Sequence, residues 1–413
     1  MANSAEKAKK RKGFRFGPGA LVTAAFIGPG TITTCSIAGA SFGYALLWGL
    51  VFSVIATIVL QEMASRLGII SRQGLGEALR KHFNKPVTKF LTALLIISAI
   101  TIGNAAFETG NLLGASIGLK LLFPELTIPI GFWAASVGII AAAILFTGSY
   151  KIIERFLIGL VILMSLTFLT TAFVVNPEIS AVFKGMFIPA FPDGSLLTIA
   201  GLIGTTVVPY NLFLHASAVQ ERWKDADDLS ESRKDIFVSV ILGGFISMAI
   251  VVTSAAAFFG INGTISSGAD LAVQLEPLLG SYAKYFIGTG LFAAGISSAI
   301  TAPLAAAYAT AGILGWKKDL KSLKFRLVWI SIIGVGIVFS MFGFRPIEVI
   351  LFAQAANGIL LPVIAIYLLW VMNSPQIMGA NVNNRMTNLL GGVVVLIAFG
   401  LGVRSLLHVF GLI

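Results

Sequence analysis

Ala24-Ala25-Phe26-Ile27-Gly28-Pro29-Gly30-Thr31 sits inside the first membrane-length apolar stretch, residues 17–41, which contains no carboxylate. Proline lacks an N–H, and glycine tolerates non-helical dihedrals. A Gly-Pro-Gly run at mid-membrane depth therefore interrupts the helical hydrogen-bond ladder. Irregular backbone at that depth is tolerated only where it is buried in protein or lines a cavity. Discontinuous membrane helices are also the best pointer in a sequence to a transporter's binding site.

Composition places this break in a bilayer. The chain has 413 residues, 57% of them hydrophobic and only 11% charged, where a soluble domain carries about 25% charged residues. Each span needs roughly twenty apolar residues. Apolar runs fall near 17–41, 43–67, 87–114, 127–147, 152–175, 194–221, 235–260, 281–311, 326–342, 346–371 and 388–409. The expectation is an all-α integral membrane protein, since these runs are too long for membrane strands of about ten alternating residues. Forty-four glycines suit close helix packing.

The formal charge of +11 invites a nucleic-acid reading, but the charges are distributed as a membrane topology distributes them. Residues 1–16 form a polar, basic tail carrying six lysines and arginines, read as a disordered cytoplasmic tail and not as a signal peptide. With the N-terminus inside, 24 of the 29 basic residues fall in cytoplasmic segments, so the positive-inside rule sets the orientation. An odd number of spans then puts the C-terminus outside, in a multi-pass inner-membrane protein. The single Cys35 can form no internal disulfide. No P-loop, zinc spacing or nucleophile–base constellation supports an enzyme, and none calls for a cofactor, resident metal or obligate protein partner.

A second interruption, Val208-Pro209-Tyr210-Asn211, lies in the sixth run, five spans after the first. Two broken helices at corresponding positions are the pattern of an inverted-repeat transporter. On this reading residues 17–175 are the first five-helix repeat, 194–371 the second, and 388–409 an eleventh helix.

Longer motifs carry a family resemblance. Gly39-Ala40-Ser41-Phe42-Gly43-Tyr44-Ala45-Leu46-Leu47-Trp48 with Leu60-Gln61-Glu62-Met63-Ala64 resembles the second-span signature of the Nramp divalent-metal transporters. Gly204 through His215 resembles their sixth span, Gln354 through Pro362 their tenth, and Val371-Met372-Asn373 with Met378-Gly379 the loop that follows. The resemblance implies a LeuT-type fold of two inverted five-helix halves plus an eleventh helix, with helices one and six unwound.

The departures from that resemblance fall on the chemistry. Where the family carries Asp-Pro-Gly-Asn, this chain has Gly28-Pro29-Gly30-Thr31; where it carries Met-Pro-His, this chain has Val208-Pro209-Tyr210. An acidic pair expected in the third span is Glu108 and Asn111, while Gln354 is retained and Asn357 adds an amide. The candidate substrate-binding residues are thus Gly28, Gly30, Thr31, Thr205, Thr206, Val208, Tyr210, Asn211, Gln354 and Asn357, with Thr33 and Thr34 nearby. Glu108, Asn111 and His215 are candidates for coupling or gating: Glu108 and His215 because ionisable groups inside membrane helices are functional by default, and Asn111 because it stands at the second position of the acidic pair that the resemblance implies.

An uncharged set of hydroxyls and amides, with two helix N-termini facing it, suits a small anion or polar solute better than a dehydrated transition metal. Bicarbonate fits by size and chemistry. Carbonyls freed at the other half-helix ends argue instead for a cation, so a divalent-metal (Mn, Fe or Mg) transporter with a relaxed site stays open, with H⁺ or Na⁺ as coupling ion in either case. A non-transporting membrane sensor ranks last, since no soluble signalling domain is legible. His82 reads as solvated, Ser297, Ser298 and Thr301 as helix ties, Glu154 and Arg155 as an interfacial charge cluster, and Glu221–Asp235 as a solvated loop.

Overall fold

The computed structural model describes residues 17–83, 85–149, 177–260 and 265–409, with scattered residues between 150 and 176. The expected basic tail and most of the fifth span, Glu154 included, lie outside the described residues. The helices that matter here are α1 (Pro18–Phe26), α2 (Pro29–Phe42), α3 (Leu47–Ser71), α4 (Leu75–His82), α5 (Pro86–Leu122), α6 (Ile130–Phe146) and α7 (Ile179–Phe187). They continue as α8 (Leu196–Thr206), α9 (Pro209–Arg222), α10 (Leu229–Phe258), α11 (Ala283–Leu314), α12 (Leu323–Ser340), α13 (Pro346–Met372) and α14 (Arg385–Val409).

Both expected breaks are present, and proline chemistry explains each. A residue before proline is pushed out of the helical region. Gly28 (φ −102°, ψ −177°) and Val208 (φ −78°, ψ 121°) are both extended. Pro29 and Pro209 then open α2 and α9 at the first helical position, where a missing N–H costs nothing. The chain bends by 54° between α1 and α2. Among the described residues eight helices are long and apolar enough to cross a membrane, and the bent α1–α2 pair makes a ninth. Helix α6, with 17 residues, is shorter.

The broken helices and α11 form the buried centre, and α5, α6, α12 and α14 display large apolar side chains outward, among them Phe90, Phe132, Phe339 and Leu396. An apolar exterior of this extent belongs in lipid. Small residues set the close approaches inside. Gly39 lies against the Val251 carbonyl of α10, Gly118 against Gly288 of α11, and Gly204 of α8 against the backbone of Gln354 in α13.

The His82 side chain is exposed, at the end of the amphipathic helix α4, whose Leu75, Ala78 and Leu79 are buried. Two expectations are corrected. Helix α7 occupies the segment between the two halves, where no element was expected. The run Glu221–Asp235 is not a solvated loop throughout: α10 begins at Leu229, and Asp235 is buried. Its carboxylate accepts the Gly17 N–H at 2.8 Å and the Gly19 N–H at 2.7 Å, which satisfies unpaired donors at the start of α1. Charge alternation alone does not reveal that cap.

Candidate functional site

The two breaks meet. The Thr31 and Thr205 hydroxyls are 2.7 Å apart, joining α2 to α8. A β-carbon on Gly30 would overlap the Gln354 side-chain amide, so α13 lays that amide directly on the first break. Gly28 faces Ser298 of α11 and Asn111 of α5; a β-carbon there would lie 2.6 Å from Ser298 Oγ and 3.8 Å from Asn111 Oδ1. Across the second break, the Tyr210 ring packs edge-on against Phe107 at 5.4 Å, beside Glu108 in the chain. Glu108 accepts from Asn111 Nδ2 at 3.3 Å.

Every one of these polar groups is buried, and much of their hydrogen-bonding capacity is unused. Among the described residues, the Tyr210 hydroxyl, both ends of the Asn211 amide, Gln354 Oε1, Asn357 Nδ2, Glu108 Oε1 and the Thr33 and Thr34 hydroxyls have no protein partner. Buried polar groups are satisfied in more than nine cases of ten. These atoms have hydrogen-bonding capacity for water or a polar solute, as do unsatisfied atoms at Asn104, Tyr308 and Thr310.

The backbone at the break is treated differently. A helix C-terminus leaves its last carbonyls unpaired, and those carbonyls are what would attract a cation. Here the Phe26 carbonyl accepts the Thr31 hydroxyl, the Ala25 carbonyl accepts Ser298 Oγ at 3.4 Å, and Ser297 Oγ is shared between the Ala294 carbonyl of its own helix at 2.9 Å and the Ala24 carbonyl at 3.2 Å. In α8, Thr206 Oγ1 donates back to the Leu202 carbonyl at 2.9 Å, and Thr57 Oγ1, which donates to the Ser53 carbonyl at 2.7 Å, lies 3.4 Å from the Thr206 carbonyl. Side-chain hydroxyls thus lie over the carbonyl end of α1. Among the described residues no group of three or more His, Cys, Asp or Glu side chains could hold a metal ion.

Two candidates turn away from this centre. The Thr206 hydroxyl is spent on its own helix, and His215 Nδ1 contacts Gln61 Oε1 of α3 at 2.9 Å. Val208 contributes only an apolar wall at the break. Ser297 and Ser298, read from sequence as helix ties, do tie α11 to α1, but they do so on the carbonyls of the break itself. A Ser-Ser pair in an otherwise apolar span is the signal that could have placed them there.

Residues 19–408 match the sequence model of the Natural resistance-associated macrophage protein-like family, Nramp. The chain belongs to the Nramp family. It is similar to the divalent metal cation transporter MntH of Yersinia pestis, 28% identical over 95% of this chain and 94% of that one. The MntH protein of Erwinia tasmaniensis is 27% identical over 97% and 96%. The Eremococcus coleocola manganese transporter superposes with a TM-score of 0.77 at 23% identity, covering 94% of this chain and 85% of that one. MhsT, solved in complex with L-phenylalanine, gives 0.65 at 15% identity, covering 94% and 98%. The fold is thus the LeuT type, in an integral, multi-pass membrane transporter that is not an enzyme.

Proposed function

We propose that this Nramp-family chain is a secondary transporter of a small oxyanion of bicarbonate size, and that it has given up the dehydrated transition metals. The observation that carries this reading is the hydroxyl cover on the Ala25 and Phe26 carbonyls, beside a Gly28 with no carboxylate. A divalent cation stripped of water needs anionic or soft ligands to offset its desolvation. Here hydroxyls contact the carbonyl oxygens, and the unpaired set joins the donors Tyr210 O–H, Asn211 Nδ2 and Asn357 Nδ2 to the acceptors Asn211 Oδ1, Gln354 Oε1 and Glu108 Oε1. An oxyanion uses donors, and the Gly30 amide at the tip of α2 adds one more. Glu108 and His215 are then available for proton coupling, and the positive-inside charge pattern orients the chain with its N-terminus in the cytoplasm of an inner membrane.

A second reading rests on its own observations: the relatives are named divalent metal cation transporters, and Glu108 Oε1 lacks a partner. A hard cation such as Mg²⁺ that keeps most of its water needs only one carboxylate and neutral oxygens. Proteoliposome flux separates the two. The oxyanion reading expects labelled bicarbonate uptake above that of empty vesicles, and no manganese uptake. Magnesium or manganese uptake without any anion uptake would replace it with the cation reading.

A further inference from the structure

Where α3, α4 and α11 end together, a cavity of about 580 Å³ opens between the Arg72 turn and the α11 terminus. Its walls include Arg72, Arg80, Lys81 and Lys89, with Glu77 as the one acidic side chain. That carboxylate is already used: it caps the Gly74 N–H at 2.8 Å and pairs with Lys318 Nζ at 2.7 Å. Among the described residues, no carboxylate forms an ion pair with any of the four cations.

One guanidinium is fixed in place before any ligand arrives, and a second lies close over the α11 terminus. Arg72 donates to the Trp223 carbonyl at 2.7 Å and the Gln220 carbonyl at 3.1 Å, which leaves three of its five N–H donors. It is the one non-glycine at positive φ among the described residues (φ 55°), a conformation that a β-carbon disfavours. Arg80 lies so close over Gly315, which ends α11 at φ 72°, that a β-carbon there would overlap the guanidinium. Opposite them, Gln73 Oε1 is a buried acceptor without a partner. Like charges gathered in a concave site raise the local potential and draw a counter-anion, and paired guanidiniums match the geometry of phosphate oxygens.

We propose that this cavity binds a phosphate-bearing anion of at least two charges. Arg72 and Arg80 hold the phosphate, Lys81 and Lys89 supply the surrounding field, and Gln73 Oε1 accepts from a ligand hydroxyl. The phosphate can belong to an anionic phospholipid headgroup, whose acyl chains would lie along the exposed Val87, Phe90 and Leu91 beside Lys89, or to a soluble polyphosphate.

The test uses the full-length protein in detergent. Native mass spectrometry measures retention of cardiolipin against phosphatidylcholine, and calorimetry measures inorganic pyrophosphate binding. Wild type is compared with R72Q/R80Q and with K321Q, a control on the neighbouring loop. The expected result is a loss of about tenfold or more in affinity for one of the two probes in R72Q/R80Q, with K321Q unchanged. Loss with cardiolipin assigns the phosphate to lipid, and loss with pyrophosphate assigns it to a soluble anion. If R72Q/R80Q does not fold, K81Q/K89Q takes its place with the same criterion. Equal binding by wild type and variant, or no binding of either probe, overturns the proposal.

Discussion

Ser298 Oγ stands 2.6 Å from the point where any residue larger than glycine at position 28 would place its β-carbon, and the same hydroxyl donates to the Ala25 carbonyl at 3.4 Å. A carboxylate at 28 and a covered carbonyl at 25 therefore exclude each other. To admit the first, Ser298 must rotate and release the second. The glycine and the serine are thus sterically coupled at this helix end.

That coupling makes Gly28→Asp alone a poor way to recover a metal site. The buried, unpaired carboxylate and the displaced hydroxyl should lower stability by about 3 kcal/mol. Adding Ser298→Ala should recover part of that loss and free the Ala25 carbonyl. Calorimetric manganese binding is expected in G28D/S298A and not in wild type. Wild-type binding as tight as the double variant's would contradict the exclusion.

Tyr210→Phe separates a ligand contact from a structural one. The Tyr210 hydroxyl is buried without a protein partner, while its ring packs on Phe107. Removing an unsatisfied donor should leave stability within about 1 kcal/mol of wild type or raise it. Loss of one hydrogen bond to the solute should lower transport by about tenfold. Thermal unfolding in detergent and flux in proteoliposomes are measured on the same preparation; a marked fall in melting temperature would show the hydroxyl to be structural.

The breaks and the length of most spans were legible in the sequence, because proline leaves the same backbone signature wherever it falls. The residue types at Gly28, Thr31, Val208 and Tyr210 were equally legible, and the structure places all four at the two breaks. What was not legible depended on which distant element faces each break. Ser298 is 270 positions from Gly28, and nothing in the periodicity of α11 indicates that its hydroxyl reaches an α1 carbonyl. The side-chain partners of Thr206 and His215 were not legible either: Thr206 Oγ1 turns back to Leu202 of its own helix, and His215 Nδ1 meets Gln61 of α3.

Asp235 shows how a charge inside an apparently solvated run can hold the broken span in place. It bridges the Gly17 and Gly19 amides from a buried position at the start of α10. Hydrogen bonds to a charged group contribute about 1.5–3 kcal/mol each. Asp235→Ala should therefore destabilise by about 3 kcal/mol, and Asp235→Asn by less, because one acceptor oxygen survives. Chemical unfolding in detergent checks the order. Equal stability of D235A and wild type would mean that solvent satisfies the α1 terminus.

Glu62 holds two arginines that differ in what they would lose. It bonds Arg66 at 3.1 Å and Arg233 at 2.8 Å. The Arg66 side chain is 7% exposed, and it also donates to the Asn381 carbonyl at 2.6 Å and Asn383 Oδ1 at 2.7 Å, fastening α3 to the segment before α14. Arg233 is 57% exposed, so water screens its pair. Arg233→Ala should cost about 0–1 kcal/mol, as surface pairs do. Glu62→Ala should cost about 3 kcal/mol, because it leaves the Arg66 charge buried without its counterion. The double variant E62A/R66M, which removes both buried charges and keeps an apolar stem of similar length, should recover most of that loss. Melting temperatures of the three variants decide the point. If E62A/R66M is no more stable than E62A, the hydrogen bonds from Arg66 to Asn381 and Asn383, and not its charge, hold this end of the bundle together.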